Sequence, residues 1–287
     1  MSAGGARERD SLTKIVNQVD TLPPGAIPPD TVSTGFPSLD GMLGGGVRHR
    51  DLIVLGGDVG SGKSAFALAI ALRTAAAGHR VMFFSGEMDE DRLMERAVAL
   101  QARVTVDELR SGRLSDARRS AVGAAAVGFR TLDLTVYPLL GHGLEEALAP
   151  VREHPPSLVI VDYLQLVPPP SPRSLHEEEA AATVRALKAL ALECRTACLV
   201  VAQIPRHVVA RPDPRPSLDD FGALGSVKQH ADVVLCLFRE EMYNPGGGIE
   251  GAAELILAKN RNGPTGFVDL YFYREWLRFE DMLDPDR

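Results

Sequence analysis

The sequence predicts an α/β fold with a mostly parallel, twisted β-sheet and helices on both faces. Short segments rich in Val, Ile and Leu alternate with longer helix-forming segments, which is typical of parallel strands buried on both faces. A glycine-rich loop joins the first of these strands to the first long helix. Near the end of the chain, two strand-like segments flank a Gly-Pro turn, which predicts a C-terminal antiparallel hairpin at the edge of the sheet.

Each predicted element follows from this alternation. The predicted strands are Leu52–Leu55, Val81–Ser85, Leu134–Tyr137, Leu158–Leu164, Ala197–Gln203 and Asp232–Phe238, with the hairpin strands Glu254–Lys259 and Phe267–Phe272. The predicted helices are Ser64–Ala77, Glu90–Gln101, Ser115–Val127, Gly143–Glu153 and Leu175–Glu193. Helical connections of this length are what parallel strands require.

The chain is predicted to divide into a short leading segment and one large domain. Residues 1–30 begin with small and charged residues and then contain four prolines between Leu22 and Pro29, so we expect a flexible segment. Ser11–Val19 is the one part of this segment that could form a short linker helix. The compact domain is predicted to cover residues 31–287. No stretch of 18 apolar residues occurs in the sequence, so no membrane span is expected.

Composition limits the possible functions. The chain has 31 Lys and Arg against 38 Asp and Glu, a net charge of −7, so any contact with nucleic acid must come from a local basic strip. Cys194, Cys198 and Cys236 lie in or next to apolar segments. The scattered histidines do not complete a zinc set with them. Buried free thiols are therefore expected, and with them a cytoplasmic location.

The strongest motif is the run Gly57-Asp58-Val59-Gly60-Ser61-Gly62-Lys63-Ser64. It fits G-x-x-x-x-G-K-[ST], the phosphate-binding loop, in which glycines let backbone N–H groups point at phosphates. In such a loop Lys63 reaches the β and γ phosphates and the Ser64 hydroxyl ligates Mg²⁺. The alternative is a chance match in a glycine-rich turn. The strand before the loop and the helix after it favour a nucleoside triphosphate site.

Three further polar residues lie at or near the ends of apolar, strand-like runs, each with a structural alternative. Asp162 ends the apolar run Leu158–Val161, as the Walker B aspartate that steadies Mg²⁺ does; the alternative is an ordinary strand-end aspartate. Glu87 could act as a general base toward water, or it could be a surface acid near a helix start. Gln203 could bond the γ phosphate or cap backbone groups.

Lys259 and Arg261 sit at the tip of the predicted hairpin. Two residues apart on a strand, they project to the same side. They could reach a neighbour's γ phosphate as a finger-like pair. A solvated, charged turn is the alternative, and spacing alone favours it.

These motifs together resemble the C-terminal RecA-like motor domain of DnaB-type replicative helicases. The similarity covers roughly residues 31–281. It is carried by Thr34–Asp40, Gly57–Ser64, Phe84–Met88, Asp162–Leu166, Gln203–Arg206, and Arg278-Phe279-Glu280, and most specifically by Ala258–Gly266.

The resemblance implies a RecA-like P-loop NTPase fold and an ATP- and Mg²⁺-dependent helicase that moves 5′ to 3′ during DNA replication. Glu87 falls on the family's catalytic glutamate, and Gln203 on its γ-phosphate sensor. Lys259 and Arg261 fall on the pair that reaches the adjacent subunit's nucleotide. A hexameric ring with single-stranded DNA in its channel is therefore expected, together with a possible loader or primase-related partner.

The segment expected to bind DNA departs from the family. Gly222 and Ala223 replace charged residues of the family's DNA-binding loop. Backbone N–H groups can still bind phosphates there. The residues that we expect to contact DNA are Arg206, Arg211, Arg215, Gly225 and Lys228.

A second interpretation is a non-translocating regulatory or assembly ATPase of the RecA, KaiC or RadA type. Only about 30 residues precede the matching region, so the family's N-terminal domain is expected to be absent. That expectation, the altered loop and the acidic net charge support this alternative. The Gly-rich opening Leu39–Val47 also occurs in KaiC-like and RadA-like proteins.

Overall fold

The computed structural model describes residues 12–13, 15–17, 19–23, 26–139, 144–164, 176–204, 211–246 and 249–282. Its strands are β1 (Thr31–Val32), β2 (Val47–Arg48), β3 (Leu52–Gly57), β4 (Val81–Ser85), β5 (Leu134–Pro138), β6 (Leu158–Asp162), β7 (Ala197–Gln203), β8 (Val233–Phe238), β9 (Ala252–Asn260), β10 (Gly266–Tyr273) and β11 (Arg278–Asp281).

The helices lie between these strands. They are α1 (Pro37–Met42), α2 (Lys63–Ala76), α3 (Glu90–Ala102), α4 (Val106–Ser111), α5 (Asp116–Phe129), α6 (Leu144–Ala147), α7 (Ala149–Glu153), α8 (His176–Cys194) and α9 (Ser226–His230). Short 3₁₀ segments occupy Leu218–Leu224, Glu240–Met242 and Arg274–Trp276.

A nine-stranded sheet forms the centre of the domain, in the order β11-β10-β9-β8-β3-β7-β6-β4-β5. The six strands from β8 to β5 pair in parallel. Strands β9, β10 and β11 add to the β8 edge in antiparallel fashion. The predicted α/β class, mostly parallel sheet and C-terminal hairpin are confirmed.

Hydrophobic clusters on both faces bury the sheet. Along β3, Ile53 and Leu55 pack into one cluster with α2, whereas Leu52 and Val54 pack into the other with α8. Alternate residues of a strand point to opposite faces, so a strand with helices on both sides must be apolar at every position. This is why the parallel strands have near-continuous apolar sequences.

Some predicted boundaries differ from the structure. Of the helix predicted over Gly143–Glu153, residues 144–153 form two short helices, because Pro150 lacks an N–H and occupies the first turn of α7. Gly143 lies outside the described residues. The strand predicted over Leu158–Leu164 ends at Asp162. Within the leading segment, described residues between 12 and 21 are helical. No helix in the described part of the chain has the length and apolar character needed to cross a membrane.

Candidate nucleotide-binding site

The glycine-rich loop connects β3 to α2 at the carboxyl edge of the parallel strands. Gly60 and Gly62 adopt φ values of 78° and 102°, a left-handed region that favours glycine. A Cβ atom on Gly57 would lie 2.8 Å from Ser61 Oγ and 2.9 Å from the Leu237 carbonyl oxygen. The loop backbone therefore requires these glycines, and its N–H groups lie at the start of a 14-residue helix, where anions bind favourably.

A cavity of about 370 Å³ opens beside this loop. Five residues predicted from the sequence line it together: Lys63, Ser64, Glu87, Asp162 and Gln203. They come from the carboxyl ends of β3, β4, β6 and β7, which lie within the parallel part of the sheet. Open α/β sheets build their sites at this edge.

The Lys63 side chain is largely enclosed in the loop. Its Nζ donates a hydrogen bond of 2.7 Å to the Asp58 carbonyl oxygen. Burial lowers the Lys63 pKa to about 8, although the nearby carboxylates of Asp162, Asp58 and Glu87 act in the opposite direction. The ammonium is thus still charged at neutral pH, and it is poorly hydrated, which strengthens its attraction for phosphate oxygens.

Asp162 is almost completely buried, at 1% exposure. Within the described residues, neither of its carboxylate oxygens has a hydrogen-bond partner of good geometry. Burial raises the Asp162 pKa to about 6 and the charge of Glu87 adds to this rise, whereas the nearby Ser64 hydroxyl and Lys63 lower it. A buried carboxylate with unused lone pairs, close to a hydroxyl, is a donor set suited to Mg²⁺.

Glu87 and Gln203 lie at different depths in the site. Glu87 is exposed in the turn after β4, and that turn is held by the hydrogen bond from the Gly86 N–H to the Asp162 carbonyl oxygen (2.7 Å). Gln203 is half-buried and pairs with Gly57 across β7 and β3. The exposed carboxylate thus faces water, and the amide adjoins the phosphate loop.

Arg239, which sequence reasoning missed, is a buried residue that contacts the backbone of the phosphate loop. It is 2% exposed, and its Nη1 donates to the Gly60 carbonyl oxygen at 3.3 Å. Its guanidinium lies 4.3 Å from the centroid of the Phe272 ring and pairs with Glu241. The available signal was its position directly after an apolar strand, the same signal that marked Asp162 and Gln203.

Comparison with known proteins agrees with this geometry. The profile of the DnaB-like helicase C-terminal domain family matches residues 31–281. This chain belongs to that family. It is 33% identical over 261 residues to the replicative DNA helicase DnaB of Haemophilus influenzae, and 32% identical over 258 residues to that of Geobacillus stearothermophilus. Each alignment covers 88% of this chain and 56% of the relative, so the chain spans about half the length of these curated relatives.

Solved structures give the same result for the fold. One solved ATPase domain superposes with a TM-score of 0.88 at 23% identity, over 96% of this chain and 98% of that domain. A DnaB-like replicative helicase, solved in a study of its interactions with primase, gives a TM-score of 0.88 at 25% identity. That superposition covers 94% of this chain and 67% of the other. The RecA-like fold and the family inferred from the motifs are confirmed.

The hairpin cations of this DnaB-like chain lie away from its own cavity. Lys259 pairs with Val234 at the start of β8, and its Nζ donates to the carbonyl oxygens of Lys228 (2.6 Å) and Ala231 (2.7 Å). Arg261 Nη1 lies 3.0 Å from Asp232 Oδ1. Both cations therefore sit at the amino edge of the parallel strands, opposite the phosphate loop.

The cations predicted to contact DNA are engaged within the chain. The described ones pair with carboxylates: Arg211 with Asp220, Arg215 with Glu254, and Lys228 with Asp219. Gly225 precedes α9 with φ −51°, a value open to any residue, and Arg206 lies outside the described residues. The DNA-contact role of these residues stays a prediction, and it would require the ion pairs to exchange for phosphates.

Proposed function

We propose that this chain is the ATP-hydrolysing motor of a DNA helicase that acts on single-stranded DNA as a hexameric ring. The observation that carries this proposal is the convergence of Lys63, Ser64, Glu87, Asp162 and Gln203 on one cavity at the end of the parallel sheet. Family membership supports it, because the curated relatives are replicative DNA helicases.

In this proposal the site divides the work of ATP hydrolysis among its residues. Loop N–H groups and Lys63 bind the phosphates, while Ser64 and Asp162 hold Mg²⁺. Mg²⁺ held there would neutralise charge that develops on the phosphates. Glu87 accepts a proton from the attacking water, and Gln203 senses the γ phosphate. These assignments are supported by the exposure of Glu87 and by the Asp162 oxygens, which lack a well-placed partner among the described residues.

The position of the hairpin supports the proposed ring. Lys259 and Arg261 lie at the amino edge of the sheet, away from the cavity of their own chain, which supports a role at another copy's nucleotide. Arg261 is also half-exposed, with 49% of its side chain accessible. We therefore propose that each ATP site is completed by the neighbouring subunit, as arginine fingers complete other phosphoryl-transfer sites.

For DNA, we propose that the segment from residue 206 to Lys228 contacts the backbone in the ring channel. The three ion pairs described above would open as phosphates replace carboxylates, which predicts a strong dependence of affinity on salt. A separate loader or primase-related protein is a further proposed partner; the primase interaction is described for the similar solved helicase.

A regulatory ATPase that does not translocate is the second candidate. The ion pairs Arg211–Asp220 and Arg215–Glu254 favour it, because they neutralise the cations that would grip DNA. Gly222 and Ala223, which stand where the family has charged residues, and the net charge of −7 point the same way.

One assay pair separates the two candidates. ATP hydrolysis is measured with and without single-stranded DNA, and strand separation is measured on a forked duplex with a 5′ tail. We expect DNA to stimulate hydrolysis and the fork to open, and we expect Lys63→Ala to abolish both. An assembled ring that hydrolyses ATP without stimulation and leaves the fork intact would identify the regulatory ATPase instead.

A further inference from the structure

Asp232 is a buried carboxylate at which three elements meet. Only 3% of its side chain is exposed. Its Oδ1 pairs with Arg261 from the hairpin at 3.0 Å. Its Oδ2 accepts the N–H of Leu52 at 2.8 Å and the ammonium of Lys188 from α8. Asp232 therefore joins the hairpin cation Arg261 to the start of the central strand. A buried carboxylate needs such partners, because an uncompensated charge away from water is destabilising.

The same hairpin also caps α9. The last carbonyl groups of a helix lack donors within the helix, and cations there are favourable. Lys259 supplies donors to the carbonyl oxygens of Lys228 and Ala231, and Arg261 Nη2 donates to that of Gln229 at 3.3 Å. The end of α9 is thus held by the two residues proposed to act on a neighbour's nucleotide.

Helix α9 adjoins the segment that is proposed to contact DNA. It follows directly after the 3₁₀ segment Leu218–Leu224 and Gly225, which belong to the segment from residue 206 to Lys228 that is proposed to contact DNA. A Lys259 or Arg261 side chain that extends across the subunit boundary to a neighbour's phosphates would leave the carbonyl groups that it caps in its own chain. Under the proposed function, the hairpin therefore has two competing sets of partners, one in its own chain and one across the subunit boundary.

We propose that Asp232 is a positioning residue that holds Arg261 in a resting arrangement. Release of Arg261 and Lys259 toward a neighbour's nucleotide uncaps α9 and loosens residues 218–225, which precede that helix. This proposal rests on the proposed function, because it requires the hairpin to act on another copy. It links nucleotide at one interface to the DNA segment of the subunit that supplies the hairpin. A coupling of this kind is a difference in contacts between two states.

The first test compares Asp232→Asn with Lys188→Met. The asparagine keeps an oxygen for the Leu52 N–H but loses the charge that holds Arg261. The methionine removes the other cation from the same carboxylate and leaves the Arg261 pair in place. We expect Asp232→Asn to raise ATP turnover without DNA about five-fold, the lower range of allosteric coupling, and so to reduce the stimulation ratio. Lys188→Met should keep the wild-type ratio. Equal ratios in Asp232→Asn and wild type, or the same change in both variants, would overturn the proposal.

A second measurement uses the unmodified oligomer and does not depend on the folding of a variant. Amide hydrogen exchange of residues 226–232 is followed with and without a non-hydrolysable ATP analogue. Faster exchange with the analogue is expected, and Arg261→Ala should remove the difference. Unchanged exchange in a sample that hydrolyses ATP with DNA stimulation overturns this proposal alone. A wild-type sample without any hydrolysis overturns the proposed function, and this proposal with it.

Discussion

Lys259 and Gly57 lie beside opposite ends of the same strand, β8. Gly57 pairs with Leu237 near the end of β8, whereas Lys259 pairs with Val234 near its start. Three residues of strand separate these rows by about 10 Å, and the phosphate loop extends farther in the opposite direction. This register keeps Lys259 away from the phosphate loop of its own chain, so the role predicted for the hairpin calls for a second copy.

Arg261→Ala should block hydrolysis and spare nucleotide binding. Loss of an arginine finger lowers kcat by about 10³–10⁵, since its charge acts on the transition state. We expect the dissociation constant of a fluorescent ATP analogue to stay near the wild-type value. Arg80→Ala is the matched control, because Arg80 also pairs with an aspartate at the amino edge of the sheet, at 2.9 Å. Wild-type turnover in the Arg261→Ala oligomer would exclude the finger role.

The pH profile of kcat/KM for ATP should be bell-shaped. Asp162, with a pKa raised to about 6 by burial, must be ionised to hold Mg²⁺, so activity rises as pH increases through that value. Lys63, with a pKa lowered to about 8 by burial, must be protonated, so activity falls above it. Such profiles report groups of the free enzyme. Arg96 lowers the Asp162 pKa, so Arg96→Met should move the acid limb to higher pH. An acid limb that stays in place in this variant would show that another group controls it.

Arg239→Met should weaken ATP binding by disturbing the phosphate loop. Methionine keeps much of the volume but loses the donor to Gly60 and leaves Glu241 without its buried partner. A hydrogen bond from a charged group contributes about 1.5–3 kcal/mol, so we expect KM for ATP to rise by about tenfold or more. The control is Arg274→Met. Arg274 also lines the cavity, but its side chain is 77% exposed and lies 4.0 Å from Glu241, so its loss should change KM little. Equal effects of the two substitutions would contradict a supporting role for Arg239.

The sequence pattern predicted those parts of the site that depend on strand ends. Asp162 and Gln203 are polar residues that close apolar runs, and the carboxyl ends of parallel strands share one edge. The order of the strands was not predictable in this way, because near-continuous apolar strands are interchangeable in pattern. The helix α4 was missed although Thr105 and Glu108 form a capping box, a local signal that sequence inspection could have found.

Long-range pairing was the other part that the sequence could not supply. Arg211 and Arg215 were predicted to contact DNA. In the structure Arg215 pairs with Glu254, a residue 39 positions away along the chain. Such a contact depends on the packing of a loop against β9, which no local pattern encodes. The same holds for the pairing of Arg261 with Asp232.

Asp51→Asn should stabilise the protein at neutral pH. Burial, together with the nearby charge of Asp232, raises the Asp51 pKa to about 6. The folded state therefore binds this proton more tightly than the unfolded state, and stability is lost as pH rises from about 4 through 6. Asparagine removes that penalty. We expect a higher Tm than wild type at about pH 7.5, with the difference shrinking below about pH 4. A lower Tm for Asp51→Asn at neutral pH would show that its attraction to the surrounding cations dominates.

The claim that two copies of the chain build each ATP site is tested most directly by mixing two inactive variants. Lys63→Ala lacks a working phosphate loop but keeps Arg261, and Arg261→Ala keeps the loop but lacks the finger. In mixed oligomers some interfaces join an intact loop to an intact finger, so ATP turnover should exceed the sum of the two separate preparations and vary with the mixing ratio. A mixture that forms mixed rings and yet hydrolyses ATP no faster than that sum would contradict the account.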